Sequence, residues 1–240
     1  SEKCCKFAAK TIFLRRIVSN LFSFCAHTDT IMDSELLAKR YERIRHKVIR
    51  YANQLFKAQG VRDVTMDDIS CALHISKRTL YQLFKDKEGL VLACVKADVL
   101  AHRASRAEIE TQTDDALEIL FRNAEYKLKE LHNLHPNYPR ELRLFPSVVA
   151  FQEECRAEFL DNFRTLLQKG CAQGTIRSDL HFEQTTRGLI FMVDGAALYD
   201  AFADYTVRDF IFNILLVFIR GCATEKGVAR IDEFIKRHRI

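Results

Sequence analysis

The stretch Ile69–Leu90, ISCALHISKRTLYQLFKDKEGL, sorts its residues into two sets by spacing. Ile69, Leu73, Ile75, Leu80 and Phe84 can close a small core. Lys77, Arg78, Thr79, Tyr81, Gln82 and Lys85 then fall outside it, a row of groups suited to phosphates and base edges. Ser76 stands where a helix running to about Phe84 needs its N-cap, and Asp86 does the same for the helix that follows. The stretch is either an ordinary amphipathic helix pair or a device that reads DNA.

The residues upstream favour the second reading. From Ser34, the residues Leu37, Tyr41, Ile44, Val48, Tyr51, Ala52 and Leu55 recur at three- and four-residue steps, predicting a helix that ends near Gly60. Thr65 is a good N-cap for a short second helix reaching Leu73 or His74, with Asp67 and Asp68 at its positive end. Two short helices around a tight turn, the second one basic, match the helix-turn-helix design. Ala72 is expected where the two helices cross closely, and Ile75 is expected to plug the turn into the core.

Composition widens the frame. A chain of 240 residues, 48% hydrophobic, can bury a sizeable core, and only 8 glycines and 3 prolines interrupt it. Helical periodicity with so few breakers predicts an all-α protein. Further helices are expected around 114–134, 138–150, 151–171, 181–202, 206–222 and 228–238, with breaks at Pro136, Pro139, Pro146 and the glycine-containing turns. Residues 33–90 carry twelve Lys/Arg against eight Asp/Glu, whereas residues 91–240 are slightly acidic. This asymmetry suits a front end that meets a polyanion. The eight cysteines form no CxxC pair and read as small buried hydrophobes in a reducing cytoplasm.

The run Phe7–His27, FAAKTIFLRRIVSNLFSFCAH, is broken by Arg15 and Arg16, is followed by no small-x-small site, and is too short and too charged to span a bilayer. Three readings fit it: an amphipathic helix docking on the body or on a partner chain, a membrane-surface helix, or an extension upstream of a natural start at Met32.

Residues from about Tyr41 to Val95 resemble the DNA-binding domain of the tetracycline-repressor (TetR) family of transcriptional regulators. The resemblance is carried by LFKAQGVRDVTMDDIS (Leu55–Ser70) and ISKRTLYQLFKDKEGL (Ile75–Leu90), and GTIRSDLHFEQTTRGL (Gly174–Leu189) is similar to the turn before that family's dimerisation helices. His74 stands where many members have glycine, and Ser70 where alanine is usual. His74 is either a tolerated left-handed turn residue or one that touches a phosphate.

The resemblance implies a three-helix DNA-binding domain at 34–90, behind an extension at 1–33, and a helical effector-binding and dimerisation bundle at 91–240. It implies a repressor that acts as a homodimer on a near-palindromic double-stranded operator and is released by an unidentified small molecule. The alternative is a DNA-binding regulator controlled by a protein partner, or by no effector. The implied DNA-contacting residues are Thr65, Ser76, Lys77, Arg78, Thr79, Tyr81, Gln82, Lys85 and Lys87, with Tyr81, Lys85 and Lys87 mainly on phosphate. TTRGLIFMVDGAALYDAF (185–202) and VRDFIFNILLVFIRGC (207–222) fit the pairing helices, with Gly195, Ile214 and Phe218 at the interface.

Aromatic residues abound in the back half, and most are core. Tyr126, Phe151, Phe163, Phe191 and Asp194 are the candidates to line an effector cavity. Asp194 interrupts an apolar run, which suits either a pocket acid or an aspartate with a local or interface partner.

No P-loop, GxGxxG or GxSxG is present, so neither a cofactor nor an enzymatic activity is expected. The nearest metal pair, His132 and His135, lacks further ligands and suits a cap or surface role.

Overall fold

The computed structural model describes residues 36, 38–131, 134–198 and 211–238, and the extension expected over 1–33 lies outside them. Residues 1–48 and 49–240 are separate compact units, and the described part of the first is helical. Among the described residues no strand occurs, and the single antiparallel bridge joins Ile176 to Ala223.

Helix α1 (38–59) stops at Gly60, whose N–H bonds the Phe56 carbonyl at 2.9 Å and whose φ of +88° is glycine's territory. Helix α2 (Met66–Ala72) opens on a full capping box. The Thr65 N–H donates to the Asp68 carboxylate at 2.8 Å, and the Asp68 N–H donates to the Thr65 hydroxyl at 3.1 Å. The Thr65 hydroxyl, donating to the same carboxylate at 2.6 Å, and then the Thr65 N–H hold the Asp68 carboxyl below its ordinary pKa. Helices α3 (Lys77–Phe84) and α4 (Lys87–Gln112) begin on Ser76 and Asp86, as their spacing predicts. Ile49, Ala52, Phe56, Ile69, Leu80, Phe84 and Leu90 are all buried.

Helix α4 carries the front straight into the back half, where it packs against α5 (Ala116–Leu131) and α7 (Pro146–Ala172). Two elements differ from the helices expected at 138–150 and 151–171. Helix α6 is only Tyr138–Leu142, and α7 starts at Pro146 and runs 27 residues. Proline has no N–H to give and a preset φ, so it starts a helix more readily than it continues one. Helix α8 (Phe182–Leu198) is followed after the undescribed stretch by a π-helical turn, Ile211–Leu215, running into α9 (Leu216–Cys222).

The last helix, α10 (Glu225–His238), begins three residues earlier than its pattern suggests. Gly227 allows this, because a Cβ there would stand 2.0 Å from the Thr175 carbonyl oxygen. Leu117, Phe121, Phe163, Leu167, Leu189, Ile219, Ile231 and Phe234 build the back core, with Phe121 and Phe234 stacked at 4.4 Å. No helix among the described residues is long and apolar enough to cross a membrane.

The cysteines divide. Cys94 and Cys222 are buried, and burial pushes the Cys94 thiol up to about 12. Cys71, expected inside, is exposed on the outer face of α2. Cys4, Cys5 and Cys25 lie outside the described residues.

Candidate nucleic-acid interface

The turn between α2 and α3 is closed by the backbone. Ile75 N–H reaches the Ser70 carbonyl at 3.1 Å and His74 N–H the Cys71 carbonyl at 3.2 Å, the Schellman pattern. His74 takes the left-handed position, with φ 53°, so a non-glycine residue bears the strain there. His74→Val should cost about 1–2 kcal/mol, because a β-branched side chain tolerates this region worst. Urea unfolding would measure the loss, and an unchanged midpoint would refute the strain.

The small residue on the inner face of α2 is Ser70 and not Ala72, which is exposed. Buried Ser70 donates its hydroxyl to the Asp67 carbonyl at 2.9 Å, which satisfies the polar atom at the position where alanine is usual in the resembled family.

On α3, Leu80 and Phe84 are buried and fix the helix from below. Lys77, Arg78, Tyr81 and Gln82 are exposed on its outer side, with Lys85 exposed at its end. Tyr81 is 47% exposed, a large aromatic left uncovered in the middle of this row.

Other expected contacts are already engaged. Thr65 and Ser76 serve as N-caps, and the Thr79 hydroxyl lies 2.8 Å from that of Ser76. The Lys77 ammonium donates to Asp67 at 2.6 Å, and that bond and charge hold the lysine above its ordinary pKa. A phosphate at Lys77 must compete with this exposed pair, which is a weak competitor in water. Lys87 is half-buried and donates to the Arg62 carbonyl at 3.2 Å, and burial lowers its pKa. Asp67 was not foreseen as a partner, although its place ten residues before Lys77 across the turn carries the signal.

Lys85 holds a second feature absent from the sequence reading. Its φ is 62° and ψ −54°, and Asp86 N–H bonds the Phe84 carbonyl at 2.6 Å across it. This is the strained form of γ-turn, set at the corner between α3 and α4.

The family model for bacterial regulatory proteins of the tetR family matches residues 48–94, the segment from α1 through the first turns of α4. Over this segment the chain resembles the TetR family.

The match supports a DNA-binding regulatory role for this segment. Solved structures of the same fold include a TetR-family regulator from Agrobacterium tumefaciens, 20% identical with a TM-score of 0.61 over 77% of this chain and 100% of that one. A gamma-butyrolactone receptor (ArpA-like protein) is 20% identical, TM-score 0.57, over 82% and 96%. A putative regulator from Saccharomonospora viridis in complex with choline is 20% identical, TM-score 0.57, over 81% and 96%. Among curated proteins nothing matches.

The head is tied to the back half by side chains of both parts. Asn53 and Lys57 of α1 both donate to Asp98 of α4, at 2.6 and 2.9 Å. Glu88 accepts the Ser147 N–H at 2.9 Å, capping α7 from the first turn of α4. His135 makes a turn contact, its ring nitrogen accepting from the Asn137 N–H at 3.3 Å, and His132 lies outside the described residues. No cluster of three metal-ligating side chains occurs among the described residues.

The candidate cavity residues do not share one environment. The Tyr126 ring tilts against His102 at 5.7 Å, and the Phe151 ring lies 5.2 Å from the Lys96 ammonium. Phe163 is part of the back core. Phe191 is 79% exposed, turned to the surface by a helix whose Leu189 points inward. The side chains of Asp194 and Gly195 lie outside the described residues. Ile214 and Phe218 are half-buried, and Phe218 packs on the back core.

Proposed function

We propose that this regulator is a homodimeric repressor whose two α3 helices enter successive major grooves of a near-palindromic operator and which a small molecule releases. The observation that carries the reading is the exposed row Arg78, Tyr81, Gln82 and Lys85 on a helix seated by buried Leu80 and Phe84. Such a seat leaves long polar side chains free to reach base edges and phosphates. Exposed Phe191 on α8 and Val217 on α9 support pairing of two chains. Release by a small molecule is supported by two structures of this fold, one named a receptor and one holding choline. The polar and aromatic pairs around Tyr126 and Phe151, between α4, α5 and α7, supply groups that could orient such a molecule. Asp194 remains the acid proposed to face it.

The test is selection of bound genomic fragments, followed by release with metabolite pools. Arg78→Ala and Gln82→Ala are expected to relax sequence preference by about 1–3 kcal/mol per contacted base. Lys85→Ala should weaken all DNA alike and flatten the salt dependence by about one phosphate contact. Variants that bind with unchanged affinity and preference would remove α3 from the interface. An effector should lower operator affinity roughly 5–150-fold. Release by no small molecule would favour control by a protein partner.

A further inference from the structure

We propose that Glu141 is a positioning residue for DNA binding: from α6 it grips the loop between α1 and α2 and thereby sets the place of Lys87 at the head's surface. The inference rests on the reading of α3 and the start of α4 as the DNA-contacting part. Glu141 is a charged side chain only 8% exposed. Its Oε2 accepts the N–H of Val61 at 2.5 Å and that of Arg62 at 2.9 Å. The two partners are 80 and 79 residues away in sequence, so the contact is purely tertiary.

Gly60 makes the approach possible. A Cβ there would stand 3.1 Å from the same carboxylate oxygen and 3.1 Å from His135 Nδ1. Successive N–H groups beside a left-handed residue form a concavity that binds an anion, and here the anion is part of the chain. His135 adds a second tie, its N–H donating to the Lys57 carbonyl at 2.7 Å.

The other side of residue 62 carries the consequence. Its carbonyl accepts from Lys87 at 3.2 Å, so this residue is held at its N–H by α6 and at its C=O by the first turn of α4. Displacing α6 withdraws the carboxylate, frees the loop and loosens Lys87 together with it. Helix α6 packs on α8, so the grip links the head to the part proposed to pair and to bind the effector.

Glu141→Ala and Glu141→Gln test this in the full chain, with the selected operator and with hydrogen exchange. Alanine leaves two N–H groups without their acceptor. Operator affinity should then fall about tenfold or more, and the Val61 and Arg62 amides should exchange faster while α7 and α10 keep their protection. Glutamine retains an acceptor without the charge, and charge-assisted bonds are about twice as strong as neutral ones, so its values should fall between parent and alanine. A folded alanine variant with parental affinity overturns the proposal, as does faster exchange spread evenly over all helices. If the alanine variant does not fold, the glutamine variant decides, and parental affinity with parental exchange at 61 and 62 overturns it. If the parent chain selects no DNA at all, the DNA-binding reading itself fails, and the exchange arm alone decides whether Glu141 holds the loop.

Discussion

Phe191→Glu is expected to yield a folded monomer whose operator affinity is lower by about a hundredfold or more. In the single chain Phe191 is 79% exposed, so the substitution removes little from the chain's own core. Val217, 62% exposed on α9, is a second large apolar residue left uncovered. Apolar surface of this kind, on helices whose other faces build the back core, suits a symmetric partner. A carboxylate placed in such an interface would have to be desolvated without a counter-charge, at a cost of several kcal/mol. Operator affinity follows because two linked heads gain about 10²–10⁴ over one. Light scattering reports the mass and fluorescence anisotropy the affinity. A variant that remains dimeric would move the interface away from this face of α8. Ile214 and Phe218, the positions chosen from sequence, are poorer test sites. Both are half-buried, and Phe218 packs on the back core, so a charge there damages folding first.

Leu80→Ala should cost about 2–5 kcal/mol and abolish operator binding at temperatures where the parent is stable. Leu80 is fully buried beneath α3, and its truncation leaves a cavity under the helix that must be held rigid to read bases. Thermal unfolding measures the loss. Arg78→Ala, two residues earlier on the exposed side, is the control: its stability should stay within about 0.5 kcal/mol of the parent while its DNA preference changes. Equal destabilisation by both variants would contradict the inward and outward faces assigned to α3.

Much of the front was legible because its signals are local. Thr65, Ser76 and Asp86 cap helices through hydrogen bonds spanning three residues, so short spacings were enough to place them. The alternation of Leu80 and Phe84 with Arg78, Tyr81 and Gln82 likewise follows from 3.6 residues per turn. Ala72 was misjudged because α2 is only seven residues long, and periodicity alone barely orients so short a helix. Ser70, with its hydroxyl bonded three residues back, could pass as the small inner residue.

The sequence by itself determined the helical class, the capped turn of the head and the basic row on α3, because each depends on neighbours within about one helical turn. Tertiary structure alone decided which groups in that row are free. Lys77 is drawn to Asp67 across the turn, and Lys87 to the Arg62 carbonyl 25 residues away. It alone turned Phe191 outward and buried Glu141 against backbone amides about eighty residues distant. A residue's chemical type states what it can bond to. Which partner it meets depends on how separately formed helices pack, and that packing is set by the sum of many weak contacts that no single spacing encodes.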